Sequence, residues 1–122
     1  MEKRIFIIDD SIIARNMLIR MLREDESVRI VGECGNGQGA LMMLEETDVD
    51  IVILESDIRG SLDYVEIIKK IKALKPLIKI ILCIDPKTHR SAVLSSEASA
   101  DDFIEKPLRA PRVLRAIKEL SE

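Results

Sequence analysis

Two short, wholly apolar runs that end in acidic residues most constrain how this chain folds. Residues 51–54 precede the acidic segment 55–57, and residues 5–8 precede Asp9 and Asp10. Continuous apolar runs of this length are typical of strands that are buried on both faces of a parallel sheet. Ligands of such sheets bind outside the carboxyl ends of the strands. The pattern therefore predicts a parallel sheet with an acidic site along one edge.

The rest of the chain alternates predicted strands with predicted helices. Further strands are predicted at 28–31, 78–84 and 100–105, and five helices at about 12–23, 40–46, 64–74, 86–97 and 111–120. This alternation indicates an α/β domain with helices on both faces of the sheet. We expect the flavodoxin-like, doubly wound strand order 2-1-3-4-5, in which strands 1 and 3 are neighbours. The length is that of a single domain, covering residues 1–122.

That strand order predicts a charged pocket. Asp9, Asp10 and Glu55 would lie at its rim, Asp57 would lie close by, and Lys106 would reach it from the tip of the last strand. Carboxylates this close repel each other and need a compensating cation. Mg²⁺ is the cation expected, because it takes one or two carboxylates together with phosphate oxygens and water. The predicted metal ligands are therefore the four acids, and Lys106 suits a phosphoryl group.

Composition excludes several classes of function. The net charge of −3 is spread along the chain without a basic block, so direct contact with nucleic acid is not expected. No apolar run approaches the roughly 20 residues of a membrane span, and the charged residues 2–4 are unlike the start of a signal peptide. A cytoplasmic protein without a membrane segment is expected.

Several other features have structural rather than chemical interpretations. Cys34 and Cys83 are expected to be reduced thiols, because they are too few and too separated for a disulfide framework. The glycine-rich segment 32–39 matches neither common phosphate-binding pattern and is predicted to be a flexible connection between a strand and a helix. His89 is expected at the surface, and the five methionines are expected to fill the core.

The chain resembles the receiver domain of bacterial two-component response regulators over its whole length. The matching pieces are Asp9-Asp10-Ser11 with Arg15, the segment 50–54, and the segment 100–107, which contains Lys106-Pro107. The resemblance implies the receiver-type fold, with Mg²⁺ held directly by Asp10 and through water by Asp9. It also implies that Lys106 pairs with a phosphoryl group and that its bond to Pro107 is cis.

The resemblance further implies a role in phosphorelay signal transduction. A sensor histidine kinase or a phosphotransfer protein would supply phosphoryl to an aspartate that ends strand 3. The output partner would bind the face formed by residues 86–120. The domain would not be an enzyme, apart from autocatalysed transfer to its own carboxylate.

Two positions depart from the family pattern. Counting from Asp50 places Glu55 at the phosphoacceptor position, and counting back from Lys106 places Ile84 at the Ser/Thr switch position. Phe103 keeps the aromatic switch ring but has no hydroxyl. Glutamate is longer than aspartate by one methylene, and a misplacement of about 1 Å lowers a positioned reaction ~10²-fold. We therefore expect an atypical receiver that works without phosphorylation, in which unmodified Glu55 pairs with Lys106.

A second alignment makes Asp57 the phosphoacceptor. The loop after strand 3 has about one extra residue before Asp63, and Arg59 stands where the family usually has proline. Residues 55 and 57 would point to the same side of a strand, so either acid could face the pocket. Counting residues along strand 3 from Asp50 favours Glu55 as the residue at the phosphoacceptor position. In that alignment Asp57 would offer its backbone carbonyl to the metal.

A third hypothesis comes from a different class, a magnesium-dependent phosphohydrolase or a flavin protein on a similar sheet. The phosphohydrolase needs Asp-x-Asp after strand 1, whereas Asp9 and Asp10 are adjacent. A flavin site needs a hydroxyl- and glycine-rich loop there, which residues 11–14 do not provide. Both patterns are therefore disfavoured.

Overall fold

A computed structural model describes residues 2–87 and 99–122. The strands in these ranges are β1 (Lys3–Ile8), β2 (Val28–Cys34), β3 (Ile51–Glu55), β4 (Lys79–Ile84) and β5 (Asp102–Glu105). The helices are α1 (Ile12–Arg23), α2 (Gly37–Glu45), α3 (Tyr64–Leu74) and α4 (Ala110–Leu120). Of the five predicted helices, the one at 86–97 falls almost entirely outside the described residues, as does His89.

The five strands form one parallel sheet in the order β2-β1-β3-β4-β5, which confirms the predicted topology. In the register between β1 and β3, Ile8 lies opposite Leu54, so both strands end at the same height. Glu55 lies opposite Cys83 of β4. The carboxyl ends of β1, β3 and β4 therefore form a common edge, with β5 ending beside β4.

The core consists of two apolar clusters, one on each face of the sheet. Phe6 and Val52 belong to the cluster that packs against α2 and α3. Ile7 and Ile53 belong to the cluster that packs against α1 and α4. Successive strand residues point to opposite faces, so a strand in the middle of two helical layers must be apolar at every position. The four apolar residues 51–54 of β3 are buried accordingly, as the continuous apolar run predicted, and Glu55 at the end of the strand is buried as well.

The glycine-rich segment is more regular than predicted. β2 continues through Gly32 to Cys34, and α2 already begins at Gly37 after Asn36 caps it by accepting a hydrogen bond from the Gly39 N–H at 2.7 Å. A Cβ at Gly32 would lie 2.6 Å from Cε2 of Phe6. Glycine is therefore needed there for close packing of a strand against an aromatic ring, and the prediction of a flexible connection was wrong.

The methionines do not all fill the core. Met17, Met42 and Met43 are 54%, 73% and 41% exposed, so the predicted core role is wrong for these three. The apolar stripe of α1 is wider than the part of the helix that faces the sheet, where Leu18 and Leu22 are buried. Helical spacing identifies a face, but the neighbouring elements decide how much of that face is covered.

An ion pair links β1 to the start of β3 at the amino-terminal ends of the strands, opposite the acidic residues. The backbone N–H and Nε of Arg4 donate to Oδ2 of Asp50 at 2.8 and 3.1 Å, and Nη2 donates to Oδ1 at 3.0 Å. The hydrogen bonds from Arg4 hold the pKa of Asp50 below its usual value. Asp50 therefore stabilises the fold in its ionised form.

Replacing Asp50 by asparagine tests this contribution through its pH dependence. A carboxyl whose pKa is lowered by folding stabilises above its unfolded pKa, about 3.9, and loses that stabilisation as the pH falls through the lower folded value. Asp50→Asn should lower the free energy of unfolding by about 1 kcal/mol at pH 7, and the difference should vanish in strong acid. Urea unfolding at several pH values measures it.

The matched control is Asp48→Asn. Asp48 lies 3.7 Å from Nη1 of Arg4, and its side chain is 86% exposed. Its removal should change the unfolding free energy by less than about 0.5 kcal/mol at any pH. Equal effects of the two substitutions would contradict a specific role for the Asp50 contact.

Candidate functional site

The carboxyl ends of the strands surround a cavity of about 450 Å³. Its lining residues are Asp9, Asp10, Ser11, Ala14, Glu55, Asp57, Arg59 and Lys106. All the acids predicted from the strand ends, together with the predicted lysine, thus lie around one space. A larger cavity of about 590 Å³ lies at the opposite end of the strands, beside Lys3 and Val28, but Asp25 is the single acid among its lining residues. We therefore assign function to the smaller cavity.

A direct contact between Glu55 and Lys106 dominates this cavity. Oε2 of Glu55 contacts Nζ of Lys106, which reaches it from the end of β5 across β4. Oε1 of Glu55 accepts a hydrogen bond from the backbone N–H of Asp57 at 3.0 Å. Glu55 is 4% exposed. Both carboxylate oxygens are thus engaged within the protein.

Burial and pairing have opposite effects on the pKa values of Glu55 and Lys106. Burial raises the pKa of Glu55, and the hydrogen bonds from Lys106 and the Asp57 N–H offset this rise only in part. Burial alone would lower the pKa of Lys106, but the hydrogen bond and charge of Glu55 raise it above its usual value. The ammonium contacts the carboxylate directly, so we take the pair as ionised at neutral pH.

Asp9 is held by the turn into α1. Its Oδ1 accepts from the Ser11 N–H at 2.9 Å, and its backbone oxygen accepts from Nη1 of Arg15 at 2.5 Å. Burial raises the pKa of Asp9, while the hydrogen bond from Ser11 and the charge of Lys106 oppose that rise. Nε of Arg15 also donates to Glu33 at 2.9 Å, which ties the turn to β2. The sequence indicated Arg15 only as part of a motif.

Asp10 faces the loop that follows β3. Its Oδ2 accepts from the backbone N–H of Arg59 at 3.3 Å and lies 3.9 Å from Nε of the same residue. Nothing in the sequence indicated this contact, because it joins two loops that are 49 residues apart. The pocket thus contains a second cation beside Lys106.

The two switch positions lie outside the cavity lining. Ile84 is 2% exposed and belongs to the cluster on the α2 and α3 side of the sheet, and Phe103 packs against that cluster. Neither side chain carries a hydroxyl, so neither can donate a hydrogen bond toward a phosphoryl group. Asp57 is exposed and lines the cavity. The roles assigned to these three residues stay predictions.

The donor chemistry of the pocket suits Mg²⁺, but the four acids that line it do not converge on one metal position. Within 2–87 and 99–122, no group of three or more His, Cys, Asp or Glu side chains is placed to hold a metal ion. Glu55 is engaged by Lys106, and Asp10 is approached by Arg59. Asp9 and Asp10, adjacent at the end of β1, would hold Mg²⁺, with Asp57 on the same lining, and the four-carboxylate set stays a prediction. The Lys106–Pro107 bond is cis, as expected.

Ser56 was not singled out by its sequence, yet its hydroxyl is unusual. The residue is 3% exposed, and its Oγ has no hydrogen-bond partner in the described part of the chain. Its backbone N–H donates to the Cys83 oxygen at 2.9 Å, which places it beside the end of β4. A buried hydroxyl without a partner destabilises the fold, because it has lost its hydrogen bonds to water.

Replacing Ser56 by alanine should therefore stabilise the protein. Removal of an unpaired buried hydroxyl is expected to raise the free energy of unfolding by about 1 kcal/mol. Urea denaturation measures this change. The control is Ser11→Ala, which removes the hydroxyl that caps α1 by accepting from the Ala14 N–H at 3.1 Å and should cost about 1 kcal/mol. Destabilisation by Ser56→Ala would show that the hydroxyl has a partner.

Comparison with known proteins identifies the class to which this fold and site belong. The sequence model of the response regulator receiver domain matches residues 5–118. The chain belongs to the response regulator receiver domain family. Receiver domains act with histidine kinases and output domains in two-component signalling and are not enzymes themselves.

Individual relatives agree with this assignment. The chemotaxis protein CheY of Thermotoga maritima is 30% identical over 122 residues, which is the full length of both chains. A protein-glutamate methylesterase/protein-glutamine glutaminase of Azospirillum brasilense is 34% identical over 107 residues; these cover 85% of this chain but 27% of that protein. The chain thus spans about a quarter of that relative.

A solved structure shows the same fold with a metal. The receiver domain of a sensor histidine kinase from Pseudomonas aeruginosa, with a magnesium ion coordinated in its active site cleft, has a TM-score of 0.85 with this chain. The alignment covers all of both chains at 18% identity, which is a likeness of fold.

Proposed function

We propose that this chain is the receiver module of a bacterial two-component pathway that signals without phosphorylation, with Glu55 at the phosphoacceptor position. The observation that carries the proposal is the contact between Oε2 of Glu55 and Nζ of Lys106. A phosphorylated aspartate would present negative oxygens to this lysine. Glu55, being one methylene longer, presents a negative oxygen to it without any modification.

The surroundings of Glu55 disfavour phosphoryl transfer to it. One oxygen of Glu55 contacts Lys106 and the other accepts from the Asp57 N–H, so attack on a phosphodonor would have to weaken or share these contacts. The residue is also almost fully buried. Ile84 at the switch position has no hydroxyl to bind a phosphoryl oxygen. The differences at the acceptor position and at the switch position thus both disfavour phosphorylation.

A second candidate is a phosphorylation-competent receiver that uses Asp57. This acid is exposed and lies on the lining of the cavity, so a phosphodonor could reach it. Its backbone N–H donates to Glu55, which keeps the two acids adjacent. Under this alternative Glu55 would be a positioning residue for Lys106.

Magnesium has a limited part in the proposal. When bound, Mg²⁺ would supply positive charge against phosphate oxygens or carboxylates at the rim. Asp9 and Asp10, with Asp57 on the same lining, are the residues that would hold it, because Glu55 is paired with Lys106. In the absence of a phosphoryl group, the fixed charges of Lys106 and the other lining residues set the electrostatics of the pocket.

The proposed input partner is a sensor histidine kinase or a phosphotransfer protein, engaged by contact rather than by group transfer. The proposed output partner binds the face at residues 86–120, whose described part includes β5 and α4. We propose a cytoplasmic location and no direct contact with nucleic acid. None of the helices in the described ranges has the length and apolar composition of a membrane span.

Incubation with MgCl₂ and acetyl phosphate tests the proposal. The unaltered protein should acquire no acid-labile phosphate, as measured by intact mass and by peptide mapping. Glu55→Asp shortens the side chain by one methylene and restores the family acceptor. This variant should become labelled, because the shorter side chain removes a misplacement of about 1 Å, which lowers a positioned reaction ~10²-fold.

Two matched variants separate the candidates. Glu55→Gln keeps the length of the side chain but removes its charge and should remain unlabelled. A stoichiometric adduct on the unaltered protein would contradict phosphorylation-independent signalling. Loss of that adduct in Asp57→Asn would then establish the second candidate.

A further inference from the structure

We infer that Arg59 is a built-in cation of the acidic pocket, which holds Asp10 and weakens the binding of Mg²⁺ there. The inference deepens the proposed function and rests on it. Arg59 lines the same cavity as Asp9, Asp10, Glu55 and Lys106. Lys106 is engaged by Glu55, and of the two cations that line the cavity Arg59 is the one within 4 Å of Asp10.

The contact to Asp10 uses two groups of Arg59. The backbone N–H donates to Oδ2 of Asp10 at 3.3 Å, which fixes the direction of the carboxylate toward the loop. Nε of the side chain lies 3.9 Å from the same oxygen. A divalent ion bound at this oxygen would have to displace or tolerate both groups. The contact of Arg59 with Asp10 therefore competes directly with a metal ion for the Asp10 carboxylate.

The backbone of the loop presents Arg59 in this way. Gly60, the next residue, has a φ of 129°, a conformation that side-chain-bearing residues rarely adopt. A Cβ at Gly60 would meet nothing within 4 Å, so the glycine serves the backbone conformation and not close packing. The chain thus turns sharply just after Arg59. A proline at 59 would lack both the N–H and the charge.

Charge explains why an exposed arginine matters for a metal but not for the fold. The Arg59 side chain is 93% exposed, and exposed ion pairs contribute little to stability. Mg²⁺, in contrast, carries two charges and dehydrates reluctantly, so its binding to one or two carboxylates is weak and sensitive to nearby charge. A cation tethered beside Asp10 repels it in addition to occupying its ligand.

The test is titration of the full chain with MgCl₂ alone, followed by backbone amide shifts in NMR spectra. Arg59→Gln keeps the backbone N–H and removes the charge, and its Kd for Mg²⁺ should be about three- to tenfold lower than that of the unaltered protein. Arg59→Lys keeps the charge and should bind Mg²⁺ with a Kd close to that of the unaltered protein. Arg29→Gln, an exposed charge on β2 near the opposite edge, controls for net charge.

The outcomes are decisive. Arg59→Gln that binds Mg²⁺ no more tightly than Arg29→Gln would overturn the inference, as would equal affinities of Arg59→Gln and Arg59→Lys. Absence of binding in all variants would overturn it as well. These titrations contain no phosphodonor, and phosphate uptake is measured in a separate experiment. Phosphate uptake by the unaltered protein would contradict the proposed function but would not change the measured effect of Arg59 on Mg²⁺ binding.

Discussion

The buried carboxylate of Glu55 is the constraint on which the site depends. Its side chain is 5% exposed, and a buried charge is unfavourable unless a partner compensates it. Lys106 provides that compensation from the end of β5, which lies two strands away in the sheet. Removing one partner of a buried ion pair generally costs about 3–5 kcal/mol. Lys106 is 37% exposed, so water moderates the cost for this pair.

The sheet supports this contact because its strands end together. β3 is buried at every position, and its register with β1 and β4 determines where Glu55 emerges. A shift of one residue would turn Glu55 to the other face, where the apolar cluster around Val52 and Leu54 lies. The apolar residues that form the core therefore also position the acid. Under the proposed function, this positioning presents a negative oxygen to Lys106 without any modification.

The fold, and most of the residues that line the site, could be predicted from the sequence. Strands that are apolar at every position are identifiable as central, and parallel strands bring their ends to a common edge, so distant acids and Lys106 were expected to meet. The contact of Arg59 with Asp10 could not be predicted, because it depends on the path of a loop with one extra residue. The unpaired hydroxyl of Ser56 and the exposure of Met17 likewise depend on neighbouring elements that periodicity does not specify.

The most direct test of the account is the pKa of Lys106, measured by NMR from the pH dependence of its side-chain carbon shifts. A lasting contact with Glu55 predicts a pKa above the ordinary lysine value of about 10.4. Glu55→Gln should lower it, because burial without a negative partner disfavours the ammonium. A pKa at or below the ordinary value, unchanged by Glu55→Gln, would contradict a permanent pair between Glu55 and Lys106.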